Sequence, residues 1–90
     1  MNKVLVTGCA GFIGSQFSKK IIKKYKIIGI DNLDKYYSTS LKKKRIEELK
    51  KNKNFFFYKI DIQNEKKLDN LIKKHKFKYV FHFAAQAGVR

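Results

Sequence analysis

Thr7-Gly8-Cys9-Ala10-Gly11-Phe12-Ile13-Gly14-Ser15 carries three glycines at equal spacing, directly after the apolar run Val4-Leu5-Val6. The run before it is short and rich in β-branched residues, which predicts a buried strand over Lys3 to Thr7. After it, Ile13, Phe17 and Ile21 recur at i, i+4 and i+8, the expected core stripe of a helix over Phe12 to Tyr25. The glycines therefore sit in a strand-to-helix turn. An ordinary tight turn explains one of them; the regular G-x-x-G-x-x-G spacing asks for more.

The rest of the chain repeats the same alternation. Lys26 to Asp31 is apolar and ends in an acid, a second strand. Asn32 to Thr39 is polar and aromatic and reads as a loop. Ser40 to Lys51 reads as a helix with Leu41, Ile46 and Leu49 inward and Arg45 and the lysines mostly outward. Asn54 to Ile60 is a third strand. Asn64 is a candidate N-cap with Glu65 in the first turn, where its charge opposes the helix dipole. Leu68, Leu71, Ile72 and His75 then follow helical spacing, and Lys78 to Ala85 is a fourth apolar strand. Strands that are apolar on both faces, each separated by a helix, predict an α/β fold: a Rossmann-type parallel sheet with helices on both faces and right-handed crossovers. No linker, repeat or internal domain boundary divides the chain.

In that fold the glycines have distinct tasks. Gly8 permits a tight turn, Gly11 lets backbone approach a pyrophosphate, and Gly14 lets the helix pack close to the sheet. The helix N-terminus adds unpaired N–H groups and partial positive charge. The commoner dinucleotide fingerprint is G-x-G-x-x-G, so the triplet alone is a weak sign; its context strengthens it. Asp31 ends the second strand, 17 positions after Gly14, where an acid accepts hydrogen bonds from ribose hydroxyls. A 2′-phosphate would meet negative charge there, which favours NAD over NADP as the cofactor.

Composition sets the bounds. Ninety residues make one small domain that buries about 60–65% of the unfolded chain's surface. No signal peptide is recognisable, and no apolar run reaches the ~18 residues of a membrane span. A single cysteine, Cys9, forms no internal disulfide, so a cytoplasmic location is expected. Cys9, His75 and His82 offer no metal-ligand spacing, and no metal is expected. The net charge of +15 raises a nucleic-acid partner. Compositional drift explains it better. Only Arg45 and Arg90 are arginines among the 22 basic residues, and Pro and Trp are absent while Ile, Asn, Phe, Tyr and Lys abound. The lysines occur in every predicted helix rather than along one stripe. No specific nucleic acid and no membrane partner is expected.

With these residues in view, the chain resembles the N-terminal part of the extended short-chain dehydrogenase/reductase family, the NAD-dependent sugar-nucleotide epimerases and dehydratases. Thr7 to Gly14, Asp31-Asn32-Leu33, Asp61-Ile62 and His82-Phe83-Ala84-Ala85 carry the resemblance. Two further stretches, DNLDKYYSTSLKKKRIEEL from Asp31 and HFAAQAGVR from His82, are similar to the UDP-glucuronate 4-epimerase branch. The resemblance implies that Gly8, Gly11 and Gly14, with the N–H groups of Phe12 and Ile13, hold the pyrophosphate of NAD. It assigns Asp31 and Asn32 to the adenosine ribose, Asp61 and Ile62 to the flanks of the adenine, and Ala84 and Ala85 to the path toward the nicotinamide ribose. Phe83 stands where many members carry leucine. Gln86 and Arg90 would approach a nucleotide-sugar substrate; a terminal residue without a role is an equal reading of Arg90. A homodimeric parent is a further expectation of the resemblance.

The chemistry implied is C4 epimerisation through a 4-keto sugar, with the tyrosine of a Tyr-x-x-x-Lys motif as base. That motif is absent. The fourth residues after Tyr25, Tyr36, Tyr37, Tyr58 and Tyr79 are Gly29, Ser40, Leu41, Ile62 and Phe83. No catalytic residue is therefore assigned within residues 1–90, which are expected to be the N-terminal part of a larger NAD-binding domain and inactive alone. Three functions follow: the cofactor portion of an epimerase, the same portion of a sister dehydratase or reductase, or a non-enzymatic basic module for nucleotides or RNA. Among the remaining residues, Cys9 is expected to fill space under the loop rather than react, and His82 to be a core histidine. Tyr36 and Tyr37 fit substrate packing and loop packing equally.

Overall fold

The computed structural model describes residues 1–33 and 39–84. Seven elements alternate: β1 (Lys3–Thr7), α1 (Phe12–Ile21), β2 (Lys26–Asp31), α2 (Thr39–Lys50), β3 (Phe55–Lys59), α3 (Glu65–Lys74) and β4 (Phe77–His82). The four strands form one parallel sheet in the order β3-β2-β1-β4. Alternate residues of the central strands feed two cores. Val4, Val6 and Ile27 pack with Ile22 beyond α1 and with Ile46 and Leu49 of α2. Leu5, Ile28 and Ile30 pack with Leu71 of α3. Helices thus cover both faces, α1 and α2 on one and α3 on the other, as the alternating apolar strands predict.

The outer strands differ from that prediction. β1 and β2 are buried nearly throughout, whereas most of β3 and β4 is only half-buried or exposed. Among the described residues each outer strand has a neighbour on one side only. No described helix is long and apolar enough to cross a membrane.

Two helices are rotated from their expected faces. In α1 the buried residues are Gly14, Ser15 and Ser18, while Ile13 is 62% exposed and Phe17 and Ile21 flank the core. Small residues line the contact because the helix approaches the backbone of the loop before it. The buried serines donate back into their own helix, Ser15 to the Phe12 carbonyl at 3.1 Å and Ser18 to the Gly14 carbonyl at 2.8 Å. In α2 the inward residues are Lys42, Ile46 and Leu49, and Leu41 is exposed. The apolar stem of Lys42 can line a core-facing row that leucine was expected to fill. In α3 the expected cap forms: Asn64 Oδ1 accepts from the Lys67 N–H at 3.2 Å.

His75 closes α3 and carries a pH dependence. Its Nδ1 lies 3.2 Å from the Lys3 ammonium, its ring stacks on Phe77, and its Nε2 is buried without a partner among the described residues. Burial, then the charges of Lys3, Lys74 and Lys26, lower its pKa. Between the lowered value and the usual value of about 6.5, the unfolded chain takes up a proton that the folded chain refuses. Stability is therefore expected to fall as pH drops below about 6.5. Urea midpoints across this range should decline on acidification for the natural chain and decline less for His75→Gln; parallel profiles would remove His75 as the cause.

Candidate functional site

The β1–α1 junction is built by the three glycines. Gly8 has φ +69°, a left-handed conformation that glycine adopts without strain. A side chain there would also lie 2.6 Å from the Ala84 N. From this turn the Gly8 and Cys9 N–H groups reach the Ile30 carbonyl at 2.9 and 3.2 Å, tying the loop to the end of β2. Gly14 permits close approach: a Cβ on it would collide with the Gly8 carbonyl and sit 3.2 Å from the Cys9 Cα. Gly11 is different. A Cβ there would meet only the Gly8 oxygen, at 3.4 Å. Folding does not need a glycine at that position, so the space in front of it is open.

Gly11 is also the N-cap of α1, and no side chain caps the helix. The first turn starts with Phe12 and Ile13, each 62% exposed. The usual N-cap oxygen is missing, which leaves the first helical N–H groups available to an anion. The expected residues Gly8, Gly11, Phe12, Ile13 and Gly14 thus share one loop and one helix start.

Asp31 reaches this loop from the end of β2. It is buried, and its Oδ2 accepts from the Ala10 N–H at 3.0 Å while its Oδ1 accepts from the Leu33 N–H at 2.8 Å. The carboxylate therefore shapes the loop and the chain after β2, with lone pairs left for further donors. Asn32 lies beside Asp61, Nδ2 to Oδ2 at 3.5 Å, so the two residues expected at the ribose and adenine are neighbours. Asp61 Oδ1 also accepts from the Gln63 N–H at 2.9 Å. Ile62 packs on the α3-side core.

Beneath the loop, Cys9 is fully buried, and burial, then the Asp31 charge, pushes its thiol well above its ordinary range. It stays protonated and fills space, as expected.

The exit of β4 is pinned to the same junction. Thr7 Oγ1 accepts from the Phe83 N–H at 3.1 Å and the Ala84 N–H at 3.3 Å. Its hydroxyl hydrogen is then available for His82 Nδ1, 2.7 Å away. His82 is therefore not a core histidine: it lies on the exposed side of β4 and ties its end to β1. Strand alternation predicted burial, but no described element covers that part of the sheet. Ala84 abuts Gly8, which places it beside the loop. Ala85, Gln86 and Arg90, like Tyr36 and Tyr37, lie outside the described residues.

Arg45 is the residue that sequence reasoning missed. Helical spacing places it mostly outward, yet its Nη1 donates to the Ala10 carbonyl at 3.1 Å and its guanidinium lies 5.8 Å from the centroid of the Phe12 ring. One signal was available: it is an arginine in a chain whose basic residues are otherwise lysine, apart from Arg90. Among the described residues no cluster of His, Cys, Asp and Glu could hold a metal ion.

The model of a family described as GDP-mannose 4,6 dehydratase matches residues 5–90. A UDP-glucuronate 4-epimerase of Thermodesulfobacterium geofontis is 45% identical over 91 residues, covering 100% of this chain and 28% of that protein. Protein CapI of Staphylococcus aureus is 44% identical over 89 residues, covering 98% of this chain and 26% of its own. Two solved structures share the architecture. One is the UDP-glucuronic acid 4-epimerase of Bacillus cereus in complex with UDP-glucuronic acid and NAD, at TM-score 0.83 and 39% identity, covering 98% of this chain and 28% of that one. The other is the dTDP-glucose 4,6-dehydratase of Bacillus anthracis in complex with NAD, at 0.80 and 32%, covering 97% and 28%. The chain spans little more than a quarter of the length of these relatives.

Proposed function

The chain belongs to the GDP-mannose 4,6-dehydratase family, and from that premise we propose that it is the N-terminal, NAD-binding portion of a nucleotide-sugar epimerase acting on UDP-glucuronate. The observation that carries the cofactor reading is the glycine loop. Gly8 and Gly14 are required by local packing, whereas Gly11 faces open space at an uncapped helix start. A cradle that a Cβ would fill fits a pyrophosphate, held by the N–H groups of Phe12 and Ile13.

When bound, NAD would supply reversible hydride exchange with the sugar C4. The residues of this chain bind and orient. Asp31 would accept hydrogen bonds from the adenosine ribose, Asn32 and Asp61 would border the ribose and adenine with Ile62, and Ala84 and Ala85 would leave room for the nicotinamide ribose. Gln86 and Arg90 would approach the sugar nucleotide. The proton-transferring tyrosine lies outside residues 1–90. The parent would pair as a homodimer. It would make no sequence-specific complex with nucleic acid, since its lysines lie on helices of both sheet faces, Lys19 and Lys20 on α1 and Lys73 and Lys74 on α3. A 4,6-dehydratase is the second reading, favoured by the description of the matching family and by the B. anthracis structure. Assaying the full-length parent on UDP-glucuronate and on dTDP-glucose with NAD separates the two.

Cofactor choice gives a further test. The Asp31 carboxylate would repel a 2′-phosphate, so the parent is expected to bind NAD more tightly than NADP. Asp31→Ala should weaken that preference by ~1–2 kcal/mol, the scale of a lost charge-assisted hydrogen bond. Calorimetric titration with both dinucleotides checks this; NADP bound as tightly as NAD by the natural protein would sink the assignment.

A further inference from the structure

We propose that Arg45 is a positioning residue that holds the glycine loop in the shape a pyrophosphate requires. The inference rests on the dinucleotide reading above and adds a residue to it. The Ala10 peptide is gripped from two sides. Its N–H is fixed by Asp31 at the end of β2, at 3.0 Å, and its carbonyl by Arg45 of α2, at 3.1 Å. The same guanidinium approaches the Phe12 ring, 5.8 Å from its centroid. Arg45 thus touches the residues on both sides of Gly11, the one glycine of the three whose Cβ direction is open.

Glycines make a loop adaptable, and an adaptable loop loses more entropy when a ligand orders it. Two charged side chains from two different elements fix this loop before any ligand arrives. Arginine suits the task because its planar fork can donate in its plane while its face or edge meets an aromatic ring. A lysine ammonium is a compact, strongly hydrated point charge without that planar fork. In a chain where 22 basic residues include only two arginines, the one on α2 stands where that planar geometry is used.

The test uses the full-length parent, with NAD as the probe. Arg45→Met is expected to raise the dissociation constant for NAD about tenfold, the scale of one hydrogen bond to a charged group. The thermal midpoint without NAD should stay close to that of the natural protein, so the rise that NAD produces shrinks. A purely structural residue would lower the cofactor-free midpoint and leave the dissociation constant alone; that result overturns the proposal, as does an unchanged constant. Arg45→Lys should recover little of the affinity, and full recovery would reduce the role to charge. Should Arg45→Met fail to fold, Arg45→Lys alone decides, with natural affinity counting against the proposal. Gly11→Val separates the two levels. If it too binds NAD normally, the dinucleotide reading fails; if it abolishes binding while Arg45→Met does not weaken it, only the role of Arg45 fails.

Discussion

Gly11→Val in the full-length parent is expected to weaken NAD binding about a hundredfold or more while leaving the protein folded. The argument compares three glycines within seven residues. Gly8 has a left-handed φ of +69° and abuts the Ala84 backbone, so any side chain there is strained and blocked. Gly14 presses α1 against the Gly8 carbonyl and the Cys9 backbone, and a side chain there must push the helix away. Overpacking against backbone of this kind costs about 3 kcal/mol. Gly11 has φ −70° and ψ 166°, ordinary extended backbone for any residue, and only the Gly8 oxygen lies near its Cβ direction. A valine Cβ at position 11 would therefore meet no atom closer than 3.4 Å, and the side chain would project into the space assigned to the pyrophosphate at the modest cost of a poorer N-cap. Circular dichroism and thermal unfolding report the fold; calorimetry reports NAD. Gly14→Val is the control, expected to lower the thermal midpoint whether or not NAD is present. A folded Gly11→Val protein with undiminished NAD affinity would falsify the phosphate-loop reading.

These glycines were legible in the sequence because each answers a local constraint: a turn, a close approach, an open space after a strand. The strand order is consistent with the same local signals. Apolar runs on both faces require helices above and below, and the short turns between elements leave few ways to connect them. Asp31 was singled out as an acid ending the second strand that could accept from ribose hydroxyls; what the structure adds, and no local pattern announced, is that two N–H groups of the chain itself already bond its carboxylate. What failed was inference from periodicity alone. Ile13, Phe17 and Ile21 have helical spacing, but the line of closest approach belongs to Gly14, Ser15 and Ser18, because small residues let backbones meet. Lys42 takes a core-facing place that leucine was expected to hold. His82 alternates correctly for burial, yet alternation says only which face a side chain shares and not whether another element covers that face. Arg45 reaches Ala10, 35 positions away, a contact no local pattern encodes.

Residues 1–90 expressed alone are expected to self-associate with rising concentration and to show no turnover of UDP-glucuronate with NAD. The association follows from β4. It pairs with β1 on one side and with no described strand on the other, which leaves a row of unpaired backbone groups. Both outer strands share that liability, and side-chain exposure decides between them. Near β4, Tyr79 is 45%, Val80 55% and Phe83 36% exposed, whereas β3 leaves one large apolar side chain out, Phe56 at 40%. Lys78 is the only charge within β4, and its ammonium lies 5.8 Å from the Tyr79 ring centroid, so it guards the strand edge poorly. Sedimentation at several concentrations measures the effect. Val80→Lys, which adds a charge to the strand at an exposed position, should shift the distribution toward monomer; a natural chain that stays monomeric throughout removes β4 as a sticky edge. The catalytic expectation has a separate cause. The groups proposed to bind and orient lie within these residues, but no tyrosine is followed four positions later by lysine, so nothing of that kind would take the proton as hydride leaves the sugar. Turnover by the purified 90-residue chain would mean that another group serves as base, and it would overturn the placement of catalysis outside this segment.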